Sequence, residues 1–343
     1  MKKNATVGAV ALAAVASLTL GACTSSPPAP SDSPSGAAGS ASVVYEIAIT
    51  QFLAHPSLDL ITKGFKEELA AKGLIEGQNV NYTFDDAQGE NSNTATIAGK
   101  YAADPKFDLI FAIATPSAAA VATAVQDRPV LFGGVTDPVA AGIVPSWDAN
   151  PQSNVTGTSD LNPEGKPLGL IQEALAGREL KSVGFLYSLG EENSKVQLEA
   201  LKAEAEGTGI EIVDSGITSP SELATGVQTL AGVDAIFVGT DNAVVNGIDQ
   251  VAMFAIEKQI PLFTADQESV SRGSIATRGL SYLAVGSQAG DMAYDILVNG
   301  KKPGDIPPLA VKETEILVNV ESAKAQGVTF PEALLAKATV VKS

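Results

Sequence analysis

Short apolar runs alternate along this chain with stretches of helical period. Val43 to Thr50 (VVYEIAIT) reads as a strand. Pro56 then stands at a first helical position, and Leu58, Ile61, Phe65 and Leu69 return at helical spacing as far as Gly73. Gln78 to Phe84 alternates as a strand, Asn91 to Tyr101 forms a modest helix, Asp108 to Ala114 is a buried strand and Pro116 to Gln126 a helix of small residues. Val130 to Phe132 is a further short strand, ending in Gly133 and Gly134. Apolar runs this short, bounded by turn residues, mark strands covered on both faces of a parallel sheet. The β-α-β-α alternation predicts an α/β fold with a doubly wound parallel sheet and right-handed crossovers.

After a connecting loop that contains Trp147, the pattern restarts. Helices are expected over 163–176, 191–206, 219–230 and 242–257, and strands over 182–187, 210–214, 234–238 and 261–264. The two halves can be overlaid. FDLIFAIATPSAAAVATAVQDRPVLFGGVTDP in the first answers VDAIFVGTDNAVVNGIDQVAMFAIEKQIPLFTADQE in the second: Asp, buried strand, Thr-bearing loop, helix, Pro-led strand, acidic loop. Two similar lobes follow, with a helix over 282–299, a strand over 313–318 and two short helices crossing between them. The expected division is 43–157 plus about 283–310 for one lobe and 158–282 plus about 311–343 for the other. A hinge is expected near Asn154 to Asp160 and Gly279 to Leu283.

The start of the chain is of another kind. Lys2 and Lys3 precede an apolar, Ala-rich segment from Ala5 to Leu20 that is short for a membrane span and ends at Leu20-Gly21-Ala22-Cys23, which predicts a signal peptide over 1–22. Cys23 is the single cysteine, so no internal disulfide can form, and the LGAC ending resembles the bacterial lipoprotein signal, which implies lipidation of Cys23. Residues 23–42 are rich in Pro, Ser, Gly and Ala with almost nothing bulky to bury, the composition of a disordered tether. Removing the two leader lysines takes the net charge from −17 to −19, which disfavours nucleic acid and anionic lipid surfaces as partners of the folded body.

Several chemistries are excluded by inspection. No G-x-G-x-x-G follows the first strand, no Gly-Lys pair continues into a phosphate loop, and there is no G-x-S-x-G elbow. With one histidine and one cysteine, no zinc or copper cluster can be assembled, so neither a cofactor nor a metal is expected. An acid-pair hydrolase survives only as an alternative, since no carboxylate pair is singled out by spacing.

Polar residues instead gather where strands end, the place at which open α/β sheets bind ligands. They are Gln51 and His55 after the first strand, Thr115 and Ser117 after the third, and Thr136 and Asp137 after the fourth, with Ser159 in the crossing segment. In the second half they are Tyr187, Asn193 and Ser194, then Thr240, Asp241 and Asn242, then Asp266 and Glu268. Helix starts with free N–H groups and nearby hydroxyls suit a carboxylate, and loop-end Asp suits an ammonium. Together they suit an amino acid, with Thr115, Ser117 and Thr136 for its carboxylate, Asp137, Asp241 or Asp266 for its ammonium, and Phe52 and Tyr187 near its side chain. The competing role of Thr115, Asp137 and Asp241 is simple helix capping. A sugar is less favoured because aromatic stacking platforms are scarce.

HPSLD (His55 to Asp59), the TPS loop (Thr115 to Ser117), TDPVAAGIV (Thr136 to Val144), NVTGTSD (Asn154 to Asp160), Tyr187 with Glu192-Asn193-Ser194, and Asp241-Asn242 resemble the substrate-binding lipoproteins of ABC transporters that include tryptophan- and tyrosine-binding members. The resemblance runs from about Val43 to the end. It implies a type I periplasmic-binding fold, a ligand held between two lobes without chemistry on it, and delivery to an ABC permease and its ATPase. It also implies a monomer outside the cytoplasm, anchored to the membrane through the lipid on Cys23. Thr158 and Ser188-Leu189 depart from the commoner pattern near the cleft. A sensory lipoprotein, or a binder of a sugar or nucleoside, is the alternative.

Overall fold

The computed structural model describes residues 43–342 apart from Pro163 and Gly165. The expected signal peptide, the tether and Cys23 lie outside the described residues. Among the described residues, no helix is long and apolar enough to cross a membrane.

Among the described residues thirteen strands, numbered along the chain, form two sheets. The first contains β1 (Tyr45–Gln51), β2 (Val80–Asp86), β3 (Leu109–Ile113), β4 (Val130–Gly133), β5 (Val155–Ser159) and β11 (Leu309–Ala310) in the order β11-β5-β4-β3-β1-β2. All its pairings are parallel. The second contains β6 (Ser182–Ser188), β7 (Glu211–Ile217), β8 (Ala235–Val238), β9 (Leu262–Thr264), β10 (Ala276–Leu280), β12 (Thr314–Asn319) and β13 (Thr339–Val341) in the order β13-β12-β10-β9-β8-β6-β7. Its pairings are parallel save β10 with β12. In each sheet the order reverses beside the first strand of the unit, β1 or β6, which is the switch point of a doubly wound sheet. The expected α/β architecture of two similar parallel lobes is the one found.

Every residue of β3, β4 and β8 is buried, as strands covered on both faces must be. On the first sheet the helices Pro56–Ala71 and Tyr282–Leu297 pack against each other at close range. A Cβ on Gly64 would lie 2.2 Å from the carbonyl oxygen of Leu283, and one on Gly286 would lie 2.1 Å from that of Ile61. Helix Tyr282–Leu297, which follows the second sheet's β10 in sequence, therefore belongs to the core of the first.

The chain passes between the sheets three times: after β5, after β10 and between β11 and β12. The first two crossings begin in segments expected to be hinge: 154–160 contains β5, and 279–283 contains the end of β10 and the start of helix Tyr282–Leu297. In β5, VTGTS is polar in sequence and buried in fact, because its hydroxyls find partners: Thr156 donates to the Ile306 carbonyl at 2.7 Å, Thr158 to that of Val285 at 3.1 Å and Ser159 to that of Thr136 at 2.8 Å.

Three expected helices differ. The one over 242–257 is two, Asn242–Asn246 and Ile248–Lys258, separated at Gly247, where a Cβ would meet Leu223 at 2.3 Å. That over 219–230 is a 3₁₀ turn, Pro220–Glu222, followed by Leu223–Gln228. The helix expected from 163 begins at Pro167 and ends at Ala174.

Candidate functional site

The C-terminal ends of the strands of both sheets face one cleft. Three side-chain contacts close it: His55 Nε2 lies 3.2 Å from Asn242 Oδ1, Ser57 Oγ donates to Glu268 Oε2 at 3.0 Å, and the hydroxyls of Thr136 and Thr240 share a hydrogen bond of 3.1 Å. In each pair the first residue belongs to the first lobe and the second residue to the other.

From the first lobe, β3 leads into Ala114, whose φ of 71° and ψ of 155° are rare for a residue with a Cβ. Such backbone persists where the surroundings hold it, and here it turns the chain abruptly into helix Thr115–Ala124 with Pro116 in its first turn. Thr115 Oγ1 and Ser117 Oγ are buried at this helix start without a hydrogen-bond partner. Unsatisfied N–H groups of the first turn add a partial positive charge. Hydroxyls and amides aimed at the same place suit a carboxylate.

His55 precedes Pro56 in extended conformation and is buried. Asn242 donates its amide N–H to Glu191, which leaves Oδ1 facing the imidazole. Nε2 therefore carries the hydrogen, and Nδ1, buried and unpartnered, presents a lone pair. Burial lowers the imidazole pKa to about 4, against the opposing hydrogen bond that it donates to Asn242, so the ring is neutral.

From the second lobe, Asn193 donates to Glu191 Oε2 at 3.0 Å and to the Thr240 carbonyl at 2.9 Å, leaving its buried Oδ1 without a donor. Of these unpartnered groups, Thr115, His55 and Asn193 line the cleft, and Ser117 follows Thr115 in the same first helical turn; hydroxyl donors and free acceptors suit the two ends of a zwitterion. Carboxylates add to the acceptor side. Asp160 is buried, with Thr136 donating to Oδ1 at 2.9 Å and Tyr282 to Oδ2 at 3.0 Å, and burial raises its pKa. Burial, and then Asp266, raise Glu268 to about 7.

Other candidates are placed differently. Asp241 lines the cleft, yet its carboxylate already accepts from the Ser188 amide and hydroxyl, the Ser194 hydroxyl and the Val244 amide. It is a cap and hub of its own lobe. Asp266 accepts from the amide and hydroxyl of Ser269, and Asp137 caps Val139 and Ala140. Gln51 is engaged by Leu53, Asp59 and Thr62, while Phe52 and Tyr187 lie in the apolar cores of their lobes. Ser194 and Ser159 are committed to Asp241 and to the Thr136 carbonyl.

Sequence reasoning missed Ser57, Asp160, Glu191 and Tyr282. Asp160 and Glu191 carry the usual signal, a polar residue just past a strand end, and Ser57 follows His55 by two. Tyr282 could not be read from its own sequence, because it opens a helix that crosses to the other lobe. Glu191 accepts from Asn193 and from the amides of Asn242 and Ala243; burial, and then Asp241, raise its pKa to about 8.

Two cavities meet here. The first is small and polar, about 10 Å³, lined by His55, Ser57, Thr115, Asn193 and Asp266 among others. The second, about 110 Å³, lies in the second lobe and is walled mainly by apolar side chains. Both are lined by Thr136, Asp160, Thr240 and Tyr282.

Comparison with known proteins agrees with this fold. Residues 46–342 match the family described as ABC transporter substrate binding protein. Over 280 residues the chain is 40% identical to the tyrosine-binding protein of Clostridioides difficile, covering 81% of this chain and 80% of that one. A solved ABC domain from Streptococcus pneumoniae in complex with L-Trp is 34% identical with a TM-score of 0.82, covering 87% of this chain and 99% of the other. The ligand-free, open structure of a substrate-binding protein with adhesive properties from Clostridium difficile is more similar in sequence, at 39%, but less so in shape, with a TM-score of 0.65 over 88% of this chain and 100% of that one. Closer shape despite lower identity places the arrangement of the lobes nearer to the L-Trp complex, as the three contacts across the cleft require. The chain belongs to the ABC transporter substrate binding proteins.

Proposed function

We propose that this protein captures a free amino acid with an aromatic side chain in the cleft between its lobes and passes it on unchanged to an ABC permease driven by its ATPase. The observation that carries the reading is the set of four buried, unpartnered polar atoms, Thr115 Oγ1, Ser117 Oγ, His55 Nδ1 and Asn193 Oδ1, drawn from both lobes. Buried polar groups are nearly always paired, so unpaired ones at and beside a strand-end cleft support the binding of a polar ligand there. The names of the relatives, tyrosine-binding and L-Trp-bound, support an aromatic side chain.

Binding works through the lobes. The three crossings between the sheets form the hinge, with lobe boundaries near 157, 283 and 310, and closure brings His55, Ser57 and Thr136 onto Asn242, Glu268 and Thr240. A ligand that contacts both lobes favours the closed form by its differential affinity. The permease then meets two joined lobe surfaces. The protein works outside the cytoplasm, tethered through a lipid on Cys23.

Calorimetric titration with the twenty amino acids, a hexose and a nucleoside tests this. The expected result is saturable binding of L-tryptophan or L-tyrosine with a dissociation constant in the micromolar range or below. Binding of the sugar or nucleoside alone would remove the amino-acid assignment and leave the family intact.

A further inference from the structure

The apolar cavity of the second lobe is not accounted for by the polar atoms that carry the proposed function. Leu170, Val196, Ala200, Leu201, Phe237 and Phe263 supply its apolar wall, Glu164, Lys166 and Arg278 also line it, and its volume is about 110 Å³. Protein interiors are close-packed, and voids larger than a water molecule are few. An apolar cavity of roughly 150 Å³ holds a benzene molecule, so this one is close to the size of a single aromatic ring. Phe237 and Phe263 offer ring faces and edges to such a guest.

Its position is as informative as its size. The cavity shares Thr136, Asp160, Thr240 and Tyr282 with the polar pocket, and the Thr136–Thr240 hydrogen bond stands between the two.

We infer that this cavity is the seat of the ligand's aromatic ring, and that Thr136 and Thr240 form the neck between ring and charged groups. The inference rests on the amino-acid reading for the neck, but the cavity itself can be tested without it. Ala200, exposed on helix Glu192–Ala205, lines the cavity at its solvent edge and Leu170 is buried in its wall, so Ala200→Phe places a ring over the space from outside while Leu170→Ala enlarges it.

The experiment measures binding of L-tryptophan, L-tyrosine and indole, the last being a ring without the charged groups, to the wild type and both variants by calorimetry and ligand-detected NMR, with folding checked by thermal unfolding. Expected are weak indole binding to the wild type that Ala200→Phe abolishes, and a loss of at least tenfold in amino-acid affinity in the same variant. Leu170→Ala should shift preference toward the larger indole side chain by severalfold. Should Ala200→Phe fail to fold, the Leu170→Ala preference and the indole titration decide alone. Tight amino-acid binding unaltered in both variants overturns the ring assignment and leaves the proposed function standing. Indole bound in the cavity with no amino acid bound supports the ring seat and overturns the proposed function. Binding of neither overturns both.

Discussion

Ser57 and Glu268 meet across the cleft, the serine hydroxyl donating to Glu268 Oε2 at 3.0 Å, although they stand on different lobes. With the lobes in contact, burial and the neighbouring Asp266 lift the pKa of Glu268 from 4.5 to about 7. In the same arrangement burial lowers that of His55, which faces Asn242, from 6.5 to about 4.

The two shifts oppose each other in proton linkage. A raised carboxylate pKa means that closing takes up a proton at Glu268 between pH 4.5 and 7; its contribution favours the closed form at low pH and is lost as pH rises through that window. A lowered imidazole pKa means that closing releases a proton at His55; its contribution is complete above pH 6.5 and is lost as pH falls toward 4. Relative to the wild type, Glu268→Gln should therefore weaken ligand binding on acidification, by up to about tenfold per pH unit. His55→Asn should tilt the profile the other way. Titrations of L-tryptophan from pH 5 to 7 check both, and parallel profiles for all three proteins would remove the linkage.

Thr115 and Ser117 carry hydroxyls that have no partner in the protein. Thr115→Val and Ser117→Ala should leave the unliganded protein as stable as before or slightly more so, because each removes an unsatisfied buried group. Each should cost about 1–3 kcal/mol of ligand affinity, the worth of a hydrogen bond to a charged group. Thermal unfolding without ligand and calorimetry with it separate the two effects. An equal loss in both would make these hydroxyls structural.

Asp241 behaves as the opposite case. Its carboxylate satisfies Ser188, Ser194 and Val244, so Asp241→Ala strips several buried donors of their acceptor at once. About 3 kcal/mol or more of stability should be lost, with binding falling as a consequence of a loosened second lobe. Urea denaturation gives the first number. An unchanged midpoint with abolished binding would return Asp241 to direct contact with the ligand.

Gly286 lies against the Ile61 backbone, where a methyl group would sit 2.1 Å from a carbonyl oxygen. Since backbone cannot step aside as a side chain end can, Gly286→Ala should force helices Pro56–Ala71 and Tyr282–Leu297 apart and cost about 1–3 kcal/mol or more. Because the second helix begins at Tyr282, which donates to Asp160, affinity should fall as well. Denaturation and binding measured together on this variant check the coupling.

Local chemistry was enough to read much of this protein in one dimension. The apolar runs that became β3, β4 and β8, the Pro-opened helix after His55 and the repeated strand-loop-helix order are set by burial and backbone geometry within a few residues. The same local rule, polar residues just past strand ends, picked out His55, Thr115, Ser117, Thr136, Asn193, Thr240 and Asn242 as neighbours of one cleft. What the chain in one dimension could not decide was which of these side chains already has a partner. Asp241 and Thr115 look alike as helix-start residues, yet the side chain of one is saturated by Ser188, Ser194 and Val244 while that of the other has no partner, because Ser188 and Ser194 come from a neighbouring strand and helix. Polar β5 was hidden for the same reason: its hydroxyls are satisfied by the carbonyls of residues 23, 127 and 150 positions away in the chain. Tyr282 reaches Asp160 only because its helix crosses back to the first lobe. Secondary structure follows from local preference, whereas the free or occupied state of a buried polar atom is a property of everything packed around it, and that is fixed only when the two lobes come together.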